Sequence, residues 1–200
     1  MRVHPNGKVP PVMKIINGKA LLLRLRNPKQ VVAAIPKSKE VEDSQVLVRW
    51  GVEEVLSLKK LNIKAPSPIE GKYSWTGQFK PMSHQKTTSA FLTMNKRAFC
   101  FNEQGTGKTA SAIWAADFLM TQGVIRRALV ICPLSIMDSA WKNDLFSFAM
   151  HRSVAIAHGA ADKRKKIIAE GTDFVVINYD GLEIVQKEVA AGGFDLIIID

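Results

Sequence analysis

Residues 101–112, FNEQGTGKTASA, decide how the second half of the chain is read. Gly105-Thr106-Gly107-Lys108-Thr109 stands between an apolar run, RAFCFNE (97–103), and a helix-forming run, TASAIWAADFLM (109–120). Strand, glycine-rich turn and helix, in that order, let backbone N–H groups turn inward around phosphate oxygens, and the helix N-terminus adds the positive end of its dipole. In that geometry Lys108 reaches the β- and γ-phosphates of ATP as a point charge, and Thr109 offers its hydroxyl to Mg2+. The first glycine of the usual G-x-x-x-x-G-K-T spacing is missing, because Asn102 occupies its place.

Outward from the loop, short apolar runs alternate with helical stretches. RALVICP (127–133), SVAIAH (153–158), DFVVINY (173–179) and FDLIIID (194–200) join RAFCFNE as expected buried strands. SIMDSAWKNDLFSFA (135–149), GAADKRKKIIAE (159–170) and GLEIVQKEVA (181–190) are long enough to be crossover helices. Repeated strand–helix–strand units predict an α/β fold, a parallel sheet with helices on both faces, whose ligands collect at the carboxyl ends of the strands. Asp200, closing the run FDLIIID, is then placed where Mg2+ takes a carboxylate. Upstream, in FKPMSHQ (79–85), the Gln85 amide can both donate to and accept from an adenine edge, and Phe79 can stack on the base. Trp141, Leu145 and Phe148 recur at helical spacing and read as core, and the basic run DKRKK (162–166) reads as a solvated helix face.

The amino-terminal part has a different texture. MKIINGKALLLRL sets Asn17-Gly18 between apolar stretches, a hairpin signal, because both central residues of a type I′ turn need positive φ. QVVAAIP (30–36) and QVLVRW (45–50) read as further strands and GVEEVLSLKKL (51–61) as a helix. These make residues 1–62 a small β-rich module, with APSPIEGKYSWTG inside a linker at 63–77 and the α/β lobe over 78–200. Nine of the chain's 28 lysines and arginines fall within residues 1–39, which hold none of its 18 acidic residues. So one-sided a block suits a polyanion, and Arg24, Arg26 and Lys29 are its candidate nucleic-acid contacts. Cys100 and Cys132 each lie in an apolar run and read as reduced core thiols. The opening MRVHPNGKV has no apolar signal region and no run is long enough to span a bilayer, which predicts a soluble, cytoplasmic protein with no membrane partner. Nothing in the sequence points to a protein partner.

Taken jointly, these elements resemble the Swi/Snf-type branch of helicase superfamily two. NEQGTGKT is similar to that family's Asp-Glu-Met-Gly-Leu-Gly-Lys-Thr, with Asn102 where the family has Asp, so the glycine is missing there as well. FKPMSHQ resembles its Leu-Arg-Pro-Tyr/His-Gln element, with Lys80 where Arg is common, and ALVICPLSIMDSAWKNDL (128–145) resembles its Val-Cys-Pro-Leu-Ser motif before a tryptophan. VVINYDGL and FDLIIID resemble the two motifs that follow. The resemblance implies a RecA-like P-loop lobe and a DNA-dependent ATPase that tracks along duplex DNA. It implies ATP at Gly105, Thr106, Gly107, Lys108, Thr109, Gln85 and Phe79, and catalysis through Lys108 and Asp200. It also implies nucleic acid along Pro133-Leu134-Ser135 and Tyr179. The family's acid after the last aspartate, its second lobe and its arginine finger lie beyond residue 200, as does a strand expected between those of Asp200 and the loop. The 200 residues by themselves are therefore expected to bind nucleotide weakly and not to turn it over. Other readings are a different superfamily-two motor, restriction-type or RNA helicase, a non-catalytic DNA-binding protein with a relic ATPase fold, or a metabolic P-loop kinase.

Overall fold

The computed structural model describes residues 12–42 and 44–200. The opening MRVHPNGKV and two members of the basic block, Arg2 and Lys8, lie outside the described residues. The chain divides into one compact unit ending at Lys72 and a second from Tyr73 to Asp200.

The first unit is an antiparallel sheet of β1 (Val12–Ile16), β2 (Ala20–Arg24), β3 (Lys39–Val41) and β4 (Gln45–Arg49), in the order β1-β2-β4-β3. Asn17 and Gly18 take φ of 50° and 63°, as the hairpin signal requires. Leu21, Leu23, Val46 and Val48 face inward and are fully buried. The expected strand at 30–36 is instead α1 (Pro28–Ala34). Pro28 fits the first helical turn, where its missing N–H costs nothing, and Val31 and Ile35 bury one helical stripe where a strand would alternate. Helix α2 (Val52–Lys60) buries Val52, Val55 and Leu58.

The stretch expected as a linker is packed. Trp50, 2% exposed, donates its Nε1–H to Pro66 O at 3.0 Å. Around it wraps the single turn α3 (Ile69–Lys72), with Ile69 buried and the Lys72 ammonium over the indole. A Cβ on Gly71 would come within 2.5 Å of that ring, so the glycine is a packing requirement.

The second unit carries α4 (Ser83–Thr93) and α5 (Lys108–Thr121), then β5 (Ala128–Cys132), and continues through a 3-10 turn (Leu134–Ile136), a π-helical turn (Met137–Lys142) and α6 (Asn143–Phe148). It ends with β6 (Val154–Ala157), α7 (Ala161–Ala169), β7 (Phe174–Asn178), α8 (Tyr179–Ile184), α9 (Gln186–Ala191) and β8 (Leu196–Ile199). Its sheet is wholly parallel, in the order β6-β7-β5-β8. The two central strands, β5 and β7, are buried along their whole length, which is why they read as unbroken apolar runs. Ala128, Val130 and Cys132 face one core with Ile113, Trp141 and Leu145. Leu129 and Ile131 face the other with Ile168 and Val185. Each fully buried side chain of this size contributes roughly 1.5–3 kcal/mol relative to exposure.

Several expected elements differ, the helix at 135–149 among them, since it is the 3-10 turn, π turn and α6 just described. RAFCFNE forms no strand: Phe99 and Phe101 are 82% and 89% exposed and stack on each other. A strand must pair its N–H and C=O groups, and this segment lies in no ladder; β8, whose outer Ile197 and Ile199 are exposed, is the free edge of the sheet. Cys100 is accordingly part-exposed in an irregular segment, whereas Cys132 is a core thiol. The expected helix 181–190 is two short helices, broken at Val185, whose side chain is drawn fully into the core. The expected solvated run DKRKK hides Arg164, 6% exposed, which donates to Ala157 O, Gly159 O and Asn178 Oδ1.

Candidate functional site

The glycine loop is built from its own backbone and from α4. Gly105 and Gly107 take φ of 77° and 76°, and α5 starts immediately after, its first turn closed by Ser111 N–H to Gly107 O at 3.0 Å. At Gly107 the missing side chain is also spatial, because a Cβ there would come within 2.2 Å of Gln85 Nε2. Gln85 donates that Nε2–H to Thr106 O at 3.3 Å and accepts from Met82 N–H at 2.9 Å through Oε1. Its amide therefore braces the loop, and both of its functions are engaged within the protein. His84 Nε2 stands 3.1 Å from the same Thr106 carbonyl; a carbonyl only accepts, so in this contact Nε2 carries the proton and donates. The sequence assigns His84 no role of its own; its signal is that it fills the Tyr/His position before Gln85 in the element FKPMSHQ.

Lys108 bends back over the loop. Its ammonium donates to Asn102 O at 3.1 Å and to Glu103 O at 3.0 Å. Thr106 Oγ1 closes the same turn by donating to Glu103 O at 2.7 Å, and Asn102 Nδ2 ties it to Thr88 Oγ1 at 2.9 Å. Thr109 follows in the first turn of α5. Phe79 is 62% exposed, leaning on Phe148 at 6.3 Å between ring centres.

Asp200 is held from three sides at the end of β8. Its N–H donates to Ile131 O at 3.0 Å, its Oδ2 accepts from Trp141 Nε1 at 2.8 Å, and its backbone oxygen accepts from the Tyr179 hydroxyl. Burial, and then the charge of Asp200, push the neighbouring Cys132 thiol up to about 11. Among the described residues no hydrogen bond or ion pair joins Asp200 to Lys108 or Thr109, so the structure draws up the two halves of the candidate ATP site separately.

Both halves nevertheless fit Mg2+ and a nucleotide. The left-handed Gly105 and Gly107 turn the loop at the head of α5, where helix N–H groups suit phosphate, and the Thr109 hydroxyl and Asp200 carboxylate are hard oxygen donors. No group of three or more His, Cys, Asp or Glu able to hold a metal occurs among the described residues. One carboxylate and one hydroxyl suit an ion whose shell is completed by phosphate and water.

The candidate nucleic-acid residues are more dispersed. Pro133-Leu134-Ser135 leads into a 3-10 turn in place of the expected α-helix, with Leu134 55% exposed. Tyr179 opens α8 with its ring 46% exposed and its hydroxyl turned toward Asp200. Arg24, Arg26 and Lys29 are exposed around the end of β2 and the start of α1, in the first unit. Register adds what the sequence does not show: Lys14, Leu22, Leu47 and Lys39 stand in one row across the sheet. Strand alternation puts Arg24 and Arg49 on that same face, opposite the buried Leu21 and Val48.

Residues 73–200 match the family described as type III restriction enzyme, res subunit. No curated protein matches the chain. Among solved structures it is similar to the Sulfolobus solfataricus SWI2/SNF2 ATPase core in complex with dsDNA, at 28% sequence identity and a TM-score of 0.47. That alignment covers 54% of this chain and 23% of the other, so this chain spans less than a quarter of that protein.

Proposed function

The chain belongs to the family described as type III restriction enzyme, res subunit, and from that premise we propose that it is the ATP-binding part of a DNA-dependent ATPase, a superfamily-two motor that couples ATP hydrolysis to movement on duplex DNA. The observation that carries the reading is the loop Gly105–Thr109. Two left-handed glycines stand at the head of a 14-residue helix, with an ammonium folded over the loop's carbonyls. A phosphate entering that loop meets the N–H groups of the helix terminus and takes Lys108 from neutral carbonyls to an anion, a stronger charge-assisted partner. Gln85 and His84 hold the Thr106 carbonyl and so fix the loop's conformation. Thr109 and Asp200 would hold Mg2+, which neutralises phosphate charge when bound. Phe79, exposed and leaning on Phe148, offers the nucleotide base a stacking face.

For nucleic acid, the reading assigns Pro133-Leu134-Ser135 and Tyr179 in the second unit and Arg24, Arg26 and Lys29 in the first. Lys14, Lys39 and Arg49 extend the basic face. Within the motor class two branches are supported by different observations. The motif forms NEQGTGKT, FKPMSHQ and CPLS favour a Swi/Snf-type translocase, and the family match favours a restriction-type motor. Both act on duplex DNA, so the first experiment is common to them. Phosphate release by the complete protein is measured with no nucleic acid, with duplex DNA, with single-stranded DNA and with duplex RNA. Duplex DNA is expected to stimulate turnover most. Stimulation by RNA alone would move the protein to the RNA helicases, and none by any polymer would favour the relic fold.

A further inference from the structure

Over residues 135–149 the sequence predicts one continuous helix in which Trp141 is a core residue. The chain instead winds a 3-10 turn and then a π-helical turn over Met137–Lys142 before α6 begins. A π turn is wound more widely than an α-helix, so side chains within and after it point away from where a straight α-helix would carry them. Such turns recur at functional sites because the helix gives up regular geometry to aim a particular side chain. Here that side chain is Trp141. Its ring is 1% exposed and belongs to the core that also holds Met137, Leu145 and Cys132.

A buried indole N–H needs an acceptor, and this one takes Asp200 Oδ2 at 2.8 Å. The ring is fixed by packing, so the bond fixes the carboxylate in turn. No described residue donates to Oδ1. The carboxylate is thus left with one oxygen anchored in the core and the other available.

We propose that Trp141 is the positioning residue of Asp200: its indole N–H holds Oδ2 so that Oδ1 faces the divalent cation of the nucleotide. The proposal rests on the reading of Asp200 as the metal acid. Trp141 acts through Asp200, as partners of metal-binding carboxylates do when they fix ligand orientation.

The test is the gain in nucleotide affinity that Mg2+ confers, measured with a fluorescent ATP analogue on the complete protein in Mg2+ and in EDTA. Trp141→Phe keeps an aromatic ring and removes the N–H. It is expected to cut the Mg2+-dependent gain by about 10-fold or more while leaving affinity in EDTA unchanged. An unaltered gain would overturn the proposal, and so would an equal loss in both conditions, which marks a structural role. Should Trp141→Phe melt far below the wild type, site-specific replacement by benzothienylalanine, which puts sulfur at the N–H position with the same ring shape, decides on the same two criteria. Asp200→Asn separates this proposal from the reading beneath it. If that variant keeps the full Mg2+ gain, the metal-acid assignment fails; if it loses the gain and Trp141→Phe does not, only the positioning role fails.

Discussion

Asn102 and Gln85 illustrate what single residues reveal in sequence and what they do not. The sequence marks Asn102 as the place of a missing glycine; the structure gives its carbonyl to Lys108 and its amide to Thr88. Gln85, expected at the base, also braces Thr106, an interaction set by the fold of α4 against α5 and invisible in spacing. The two cysteines divide in the same way. Cys132, raised to about 11 by burial and the nearby Asp200 charge, stays a thiol at pH 8, with about one molecule in a thousand ionised. Alkylation of the folded protein at pH 8 is expected to label Cys100 and spare Cys132 until denaturant is added. Peptide mapping checks this, and rapid native labelling at Cys132 would contradict its placement.

At the scale of elements, four of the five strands expected in the second unit form as read, because buried parallel strands announce themselves as unbroken runs of Val, Ile and Leu. RAFCFNE carries the same signal but pairs with nothing, and hydrophobicity records only the tendency to burial, not the partner strand. The helix at 28–34 reads as a strand in sequence because QVVAAIP is β-branched at its start, whereas Pro28 and the Val31–Ile35 stripe decide for a helix. The stretch 135–149 is legible as helical but not as a π turn, since that geometry is set by where Trp141 must point. Buried Asp117 on α5 is not legible at all. It accepts from Tyr73 Oη, His151 Nε2 and Arg152 Nε, joining the start of the unit to the loop after α6. Burial, and the hydrogen bond to this carboxylate, push the Tyr73 phenol far above its ordinary range. Asp117→Ala leaves Arg152 without its main partner and is expected to cost about 3 kcal/mol, read as a lowered midpoint in chemical denaturation. An unfolding free energy within about 0.5 kcal/mol of wild type would show that the network contributes nothing net.

At the scale of the whole molecule, the change of texture near residue 63 is legible, because charge and strand period both shift there. The compact units divide later, after Lys72, because Trp50 gathers residues 66–72 onto the first unit. The first unit's contribution to DNA binding is tested by salt. Neutralising Arg24, Arg26 and Lys29 is expected to flatten the log–log salt dependence of duplex affinity by about 0.9 for each phosphate that is no longer neutralised, and Lys14 and Lys39, on the basic sheet face, to do the same. An unchanged slope would remove this unit from the interface. The central claim is that Gly105–Thr109 fuels a motor whose grip on DNA lies elsewhere. Its most direct test is Lys108→Ala in the complete protein, with duplex-DNA-stimulated phosphate release and duplex affinity measured on the same sample. Turnover is expected to be abolished while affinity for DNA stays within about twofold of wild type. Wild-type turnover in the variant, or loss of DNA binding together with hydrolysis, would contradict it.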